Sequence, residues 1–402
     1  KGHCAKRQGA LRISALGLMS GLLLALPARA QDPAPADPAV NLSGPAAPEA
    51  AATAPAAPPP APPPPAPEAP KKPSVEVGAW TRLGARVQGS DNPKALNDIA
   101  MDTVYGELNA SGKVYDNVTL TLDLAANGLN GTAGILDAIA AFDFSEPLHL
   151  WVGQLLVPVD RANSAGPFFM LPWNYPGVFA VGNNVVPATP HAGPYGRSAG
   201  AVLWGEAAEG RLRYYGGMFA PNVGDSPLYS GRVSFDVLGA EHGFWGNSTY
   251  FGAQNVVAID VGAQYQKNGS VAPAAAGGAA AGASSNYSEV NVGAFGEYKL
   301  AGASYLTGEA VFYHFSGDFE PLKNEFYILA AYASDRIGVG QIQPMIRFQT
   351  GSNNGASVSA IDVFVNYLIA GPALRIMFGF QHTDLDGPVG NALQLGVQAM
   401  LF

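Results

Sequence analysis

Residues 157–198 read VPVDRANSAGPFFMLPWNYPGVFAVGNNVVPATPHAGPYGRS and separate two regions of clear β-strand pattern. Seven prolines interrupt this stretch, at positions 158, 167, 172, 176, 187, 190 and 194. Proline removes a backbone donor and fixes φ, so the stretch cannot form an ordinary strand or a long helix. A loop of about forty residues is unusual in a compact domain unless it has a function. We therefore predict a functional loop here and interpret the rest of the chain around it.

Apolar and polar residues alternate on both sides of this loop, which is typical of strands with one apolar face. In residues 75–89, Val77 and Leu83 share one face, whereas Arg82 and Arg86 share the other. The same alternation recurs in residues 118–127, 256–266 and 357–368. It continues for about three hundred residues, which exceeds the usual size of a soluble β-domain. A membrane barrel explains both the length and the alternation, because its strands present lipid-facing and lumen-facing residues in turn.

The connections between the predicted strands alternate between short and long, as they do in outer-membrane barrels. Sixteen strands are predicted, at residues 75–89, 101–112, 118–127, 135–144, 148–156, 199–206, 211–219, 229–237, 256–266, 287–299, 303–315, 325–333, 339–350, 357–368, 373–382 and 391–402. An even number places both chain ends on the periplasmic side and residues 157–198 on the external side. We predict an all-β fold, a transmembrane antiparallel β-barrel of about sixteen strands, with this loop folded inward as a constriction. Residues 238–255 are too long for a periplasmic turn, so we expect a small extra element there.

The first 73 residues have a different composition from the barrel. A basic start, an apolar run at 13–26 and an A-x-A site at 28–30 predict a signal peptide at residues 1–30. Residues 31–73 are almost entirely Ala and Pro, a composition that stays extended instead of packing. We interpret this leader either as a periplasmic tether or as a disordered segment without a partner. The barrel then occupies residues 74–402, and its final Phe402 predicts recognition by the barrel-assembly machinery.

Charge and motif content restrict the classes of function. The formal net charge of -9 and the lack of a basic cluster argue against a nucleic-acid partner. The sequence has neither H-E-x-x-H nor G-x-S-x-G, and its histidines are scattered. We therefore predict no catalytic residues, no metal site, no cofactor and no enzymatic activity. The chain's one cysteine, Cys4, falls within the predicted signal peptide.

Residues 148–266 resemble the phosphate-selective porin family of the O and P type. The resemblance rests on WVGQLLVPVDR at 151–161, GRSAGAVLWGEAAEGRLRYYGGMFAPN at 196–222, SGRVSF at 230–235 and VVAIDVGAQYQ at 256–266. It implies a homotrimeric, sixteen-stranded channel. The phosphate site is not carried over, because the loop offers only Arg161 and Arg197 as basic residues, with Asp160 beside the first. From residue 75 onward, 15 Lys and Arg stand against 27 Asp and Glu.

Strand parity predicts which charged residues face the lumen, since Arg or Lys on the lipid face costs about 2–4 kcal/mol near the midplane. By this rule the lumen contains Arg82, Arg86, Glu107, Asp123, Asp137, Glu206, Arg211, Arg213, Arg232, Asp236, Asp260, Glu297, Glu309, Arg347, Asp362 and Arg375. Six arginines of this set are predicted to tune the pore: Arg82, Arg86, Arg211, Arg213, Arg347 and Arg375. The alternative is that each charge pairs with a neighbour and stiffens the wall.

The loop is rich in aromatic residues, namely Phe168, Phe169, Trp173, Tyr175, Phe179 and Tyr195. These rings either stack on sugars in the passage or wedge the loop against the inner wall, and we favour the wedge. The residues predicted to line the constriction are Asp160, Arg161, Phe168, Phe169, Trp173, Tyr175 and Arg197.

We predict an outer-membrane porin, a water-filled channel through which small polar solutes and ions diffuse passively. Walls of opposed charge favour polar solutes, and the excess of acidic residues predicts a weak cation preference or none. The alternatives are a channel selective for phosphate, other anions or carbohydrate, and a non-conducting barrel that anchors an envelope protein.

Overall fold

The computed structural model describes residues 75–90, 98–176, 190–272, 282–320, 323–353, 356–384 and 389–401. The predicted signal peptide, the Pro/Ala-rich leader and Phe402 lie outside these described residues. None of the helices in the described ranges is long and apolar enough to cross a membrane.

One antiparallel sheet contains every described strand. The strands are β1 (Val75–Ser90), β2 (Asp98–Tyr115), β3 (Val118–Asn127), β4 (Thr132–Ser145), β5 (Leu148–Leu156), β6 (Arg197–Ala207), β7 (Leu212–Phe219), β8 (Leu228–Leu238), β9 (Val256–Val271), β10 (Ser284–Lys299), β11 (Tyr305–Ser316), β12 (Asn324–Ala333), β13 (Arg336–Ile337), β14 (Gly340–Asn353), β15 (Ala356–Leu368), β16 (Leu374–Asp384) and β17 (Val389–Leu401). Strand β13 is a two-residue strand in the turn before β14, and the other sixteen form the wall. Strand β1 pairs with both β2 and β17, so the sheet closes. The predicted sixteen-stranded antiparallel barrel is confirmed.

The two faces of the wall differ as the alternation predicts. On β9, Ile259 and Val261 are 47% and 48% exposed, whereas Asp260 between them is 2% exposed. On β15, Val363 is exposed and the adjacent Asp362 is fully buried. Successive residues of a strand point to opposite faces, so this pattern gives the barrel an apolar outside and a polar inside.

In its described part, the long connection between β5 and β6 contains one α-helix, α1 (Arg161–Phe169). Asp160 caps its start, because the carboxylate accepts the backbone N–H of Asn163 at 2.8 Å. Gly166 has a φ of 62°, which glycine adopts without strain, and it interrupts the helical geometry just before Pro167. The helix is therefore short and kinked. A single 3-10 turn, Pro194–Gly196, leads into β6.

The connection between β8 and β9, residues 239–255, contains neither helix nor strand. The expectation of a small extra element at this position is therefore wrong. The extra residues fold back into the barrel instead, where Glu241 and Phe244 are almost completely buried. We call residues 239–255 the β8–β9 segment. It lies at the short-turn end of the barrel, whereas α1 enters from the long-loop end.

Candidate functional site

We call residues 157–196 the inward loop; its described parts, residues 157–176 and 190–196, lie inside the barrel and cross its lumen. On one side the carbonyl of Val159 accepts a hydrogen bond from Asn291 of β10 at 3.2 Å. On the other side the carbonyl of Trp173 accepts one from Arg82 of β1 at 2.5 Å. Strands β1 and β10 stand on opposite sides of the sixteen-stranded wall. The loop is thus attached to both sides of the interior.

Arginines on the wall hold the part of the inward loop that follows α1, by its backbone carbonyls. Besides the Arg82 contact, Arg347 of β14 donates to the Asn174 carbonyl at 2.9 Å. Arg375 of β16 donates to the Met170 carbonyl at 2.9 Å. These guanidinium groups are buried, so their hydrogen bonds to the loop occupy them. Of the three, Arg347 also pairs with a neighbouring charge, Asp362, as the alternative describes, and pore tuning by these arginines stays a prediction.

Loop aromatics pack against the wall near β1, β2 and β17. The Trp173 ring lies under the Arg82 guanidinium at 4.0 Å, and its Nε1 donates to Thr103 at 3.3 Å. A side chain on Gly396 would place Cβ 2.7 Å from the Trp173 ring, so this close approach needs glycine. Phe168 meets Trp80 edge-on, with ring centroids 5.3 Å apart.

The other predicted aromatic residues are less buried. Phe169 is half-buried and also meets the Trp80 ring, at 6.1 Å between centroids. Tyr195 contacts Tyr105 of β2 at 5.2 Å, and Tyr175 is half-buried. Phe179 lies outside the described residues. The packing of Phe168 and Trp173 matches a wedge between loop and wall more closely than an open stacking surface.

A buried ion-pair network lies beneath the start of α1. Arg161 donates to both carboxylate oxygens of Glu241, at 2.6 and 2.7 Å, and lies 3.4 Å from Asp260. Arg213 of β7 also donates to Glu241, and Arg232 of β8 donates to Asp260. Buried charges need such partners, because an unpaired charge inside a protein is costly. The network joins the inward loop, the wall and the β8–β9 segment.

Two buried carboxyl groups outside the strands respond differently to their surroundings. Burial raises the pKa of Asp160 above its usual value, despite hydrogen bonds from Tyr313 and from the backbone of Asn163. Burial alone would also raise the pKa of Glu241, but Arg161 and Arg213 outweigh it and hold that pKa well below its usual value. Glu241 is therefore the firmly ionised partner of the two arginines.

The remaining predicted wall charges have assorted partners. Arg197 lies 3.4 Å from Asp137 and donates to the Tyr195 carbonyl at 2.8 Å. Glu107 accepts the Tyr105 hydroxyl at 2.5 Å. Arg86 is half-buried and donates to Gln381 at 3.1 Å. Asp123 is half-buried, with one carboxylate oxygen that accepts no hydrogen bond.

Arg211 is placed differently from the prediction. Strand β7 begins at Leu212, and Arg211 is exposed in the tight turn that joins β6 to β7. The turn is held by the Arg211 backbone N–H, which donates to the Ala208 carbonyl at 3.2 Å. Parity along a strand says nothing about a residue beyond the strand's end, so the assignment of Arg211 to the lumen is wrong.

Exposure of the inward-facing side chains differs around the wall. On β9, β14 and β15, inward residues such as Asp260, Arg347 and Asp362 are buried. On β3, inward residues such as Thr121 and Asp123 are only half-buried, whereas on β2 Asn109 is half-buried but Tyr105 and Glu107 are buried. The interior is therefore filled most completely beside β9 to β15 and less completely beside β3. Within the described ranges, no three His, Cys, Asp or Glu side chains are grouped so as to hold a metal ion.

Residues of the β8–β9 segment were missed by the sequence reasoning. Glu241, Phe244 and Tyr250 all lie in it and contact the interior. The sequence indicated these residues through the length of the segment, which far exceeds that of an ordinary turn at that end of a barrel. Length alone predicted a departure from a turn but not its inward direction.

Comparison with known proteins identifies the fold. No protein-family model and no curated protein sequence matches the chain. Pseudomonas putida OprB has a similar structure, with a TM-score of 0.57 and 9% identity over 82% of this chain and 94% of that one. OmpT of Vibrio cholerae, as a variant lacking loop L8, has a TM-score of 0.56 and 13% identity over 82% of this chain and 99% of its own.

A third similar structure is the anion-selective porin from Comamonas acidovorans, with a TM-score of 0.51 and 10% identity over 82% of this chain and 100% of that one. Identities this low establish the fold alone, and the resemblance to phosphate-selective porins stays a prediction. The chain has the fold of the outer-membrane β-barrels of Gram-negative bacteria, porins among them.

Proposed function

We propose that the protein is an outer-membrane porin, a channel for passive diffusion of small polar solutes and ions. The single observation that carries this proposal is the asymmetric interior. A loop held on both sides narrows the lumen, while the polar inner face of β3 stays half-exposed. A barrel serving only as an anchor would not need a polar face kept open in this way.

We propose a weak cation preference or no charge selectivity. Asp123 is half-buried on the inner face of β3, directly opposite Asp137 of β4 and diagonal to Glu107 of β2. Arg347 and Arg375, which an anion pathway could use, donate to loop carbonyls instead. The second candidate, a phosphate-selective or anion-selective channel, would need basic side chains that are free to contact the solute. The guanidinium groups of Arg347 and Arg375 are instead bonded to the loop.

The test is single-channel recording in planar lipid bilayers, with the reversal potential measured across a potassium chloride gradient. We expect discrete conductance steps and a reversal potential near zero or of the sign for cation preference. A clear anion-selective reversal potential would support the second candidate. Absence of any conductance from folded protein would support the non-conducting anchor.

Replacing Trp173 with alanine should distinguish the wedge from a sugar-stacking surface. Loss of a buried Trp removes about 3–5 kcal/mol of packing, so the loop should loosen from Gly396 and Arg82 and the conductance should rise. The measurement is single-channel conductance with and without a maltose oligosaccharide. An unchanged conductance combined with weaker block by the sugar would instead favour the carbohydrate-selective alternative.

We also propose a homotrimer, since the solved relatives of this fold include a trimer form of OmpT from Vibrio cholerae. Assembly through recognition of Phe402 is part of the same proposal. Mass measurement of the detergent-solubilised protein by light scattering tests the stoichiometry, and a monomer would contradict it.

A further inference from the structure

We propose that the β8–β9 segment is a second inward-folded element that positions α1, and that Glu241 is its positioning residue. The segment would thereby set the width of the passage from the short-turn end, opposite to the end from which the inward loop enters. This inference rests on the proposed channel function and deepens it.

Electrostatic contacts tie the segment to the first residue of α1. Both carboxylate oxygens of Glu241 accept hydrogen bonds from Arg161, and the Arg161 guanidinium also donates to the Asn247 carbonyl at 2.9 Å. Arg213 and Tyr250 donate to the same carboxylate. One acidic side chain thus joins the helix, the wall and its own segment.

Aromatic packing anchors the middle of the segment to the wall. Phe244 stacks on Trp151 of β5 with ring centroids 4.3 Å apart, and it meets Trp204 and Tyr215 edge-on at 5.7 and 5.3 Å. The Tyr215 hydroxyl donates to the Phe244 carbonyl at 3.1 Å. Aromatic pairs of this kind contribute beyond their buried area, so the segment has a firm base on β5 to β7.

A second anchor holds the end of the segment that leads into β9. Glu297 of β10 accepts hydrogen bonds from the Thr249 hydroxyl at 2.7 Å, the Tyr250 backbone N–H at 3.1 Å and the Gly252 backbone N–H at 2.8 Å. The segment is therefore fixed at two places on the wall, on β5 to β7 through Phe244 and on β10 through Glu297. A part held in this way can resist displacement of α1.

Glu241 acts through position and not through direct contact with ions. It is 1% exposed, so a permeating ion cannot reach its carboxylate. Removing the Glu241 charge would leave Arg161 beside Asp260 at 3.4 Å and Arg213 beside Asp236 at 3.9 Å. Both distances are longer than those from the same arginines to Glu241. Buried charges with weakened partners move toward water, so the start of α1 should leave its place.

The first test is Glu241→Gln, which keeps the size of the side chain and removes its charge. We expect single-channel conductance to rise about twofold, with openings of more than one size, because α1 is no longer held in one position. The control is Glu209→Gln, the same change at an exposed residue in the β6–β7 turn, which should leave the conductance unchanged. Equal conductance of Glu241→Gln and wild type would overturn the proposal.

A disulfide rescue separates positioning from general destabilisation. A Cβ built on Gly246 lies 3.5 Å from the Cβ of Ser164 in α1, within the disulfide range of about 3.5–4.5 Å. Gly246→Cys and Ser164→Cys would be combined with Glu241→Gln and with Cys4→Ser, which removes the chain's one native cysteine. Oxidation should return the conductance to the wild-type value, and reduction should raise it again. A cross-linked protein whose conductance stays high would overturn the proposal.

If Glu241→Gln does not fold, Tyr250→Phe provides a milder variant, because it removes one hydrogen bond to Glu241 and no charge. We then expect a smaller rise of conductance in the same direction, again reversed by the cross-link, and an unchanged conductance overturns the proposal. A protein that folds and cross-links but never conducts would contradict the proposed function and the positioning role together. Conductance that is raised but not rescued would contradict the positioning role alone.

Discussion

Replacing Arg375 with methionine is expected to release the part of the inward loop that follows α1 and to raise the single-channel conductance. Arg375 is 1% exposed on β16, and its guanidinium donates to the carbonyls of Met170 and Leu171 at 2.9 and 3.3 Å. Each hydrogen bond to a charged group contributes about 1.5–3 kcal/mol to stability. Loss of both should therefore destabilise the protein more than substitution of an exposed residue does. The measurements are conductance in planar bilayers and the midpoint of urea unfolding from lipid vesicles.

Arg211→Met is the matched control for Arg375→Met, because it removes the same charge from an exposed turn outside the lumen. We expect it to leave both conductance and unfolding midpoint at the wild-type values. If the two variants changed the conductance equally, net charge would explain the effect and loop anchoring would not.

Asp362→Ala is expected to destabilise the folded barrel by about 3–5 kcal/mol, the usual cost of breaking a buried ion pair by removing one partner. Asp362 is fully buried and accepts hydrogen bonds from Arg347 Nε at 2.7 Å and from Gln349 at 2.7 Å. Its loss leaves the Arg347 charge uncompensated in the interior and loosens the contact of Arg347 with Asn174. The free energy of unfolding, measured by urea titration in lipid vesicles, tests this expectation.

A double-mutant cycle completes the Asp362 experiment. Arg347→Met combined with Asp362→Ala should cost less than the sum of the two single changes, by about 0.5–3 kcal/mol, since the second change removes the unpaired charge. Strictly additive free energies would mean that the two side chains do not interact in the folded protein.

Strand number and the facing of side chains could be predicted from the sequence because both depend on local geometry. Asp260 beside Val261 and Asp362 beside Val363 alternate along the chain, and a strand turns that alternation into an inner and an outer face. Arg211 marks the limit of this reasoning, since the parity rule holds only while the chain remains a strand. The prolines of the inward loop likewise predicted an irregular segment. They did not exclude the short helix that Asp160 caps.

The partners of the interior charges could not be predicted, because they are set by sheet closure and by two segments that fold into the lumen. Arg375 and Met170 are 205 residues apart in sequence, and Arg161 and Glu241 are 80 apart. Nothing in either local pattern identifies the other member of the pair. The inward course of the β8–β9 segment depends in the same way on Trp151, Trp204 and Tyr215, which reach it from three separate strands.

The sequence by itself determined that each strand has one apolar and one polar face, since a period of two residues is a property of each strand alone. The length of this pattern and the alternation of short and long connections predicted the barrel. The sequence also determined which connection must be irregular and long, since proline excludes regular structure locally. Only the tertiary structure decided that wall arginines hold loop carbonyls and that Glu241 meets Arg161. These contacts depend on the register of a sheet closed on itself, which brings residues together across the lumen regardless of their distance along the chain.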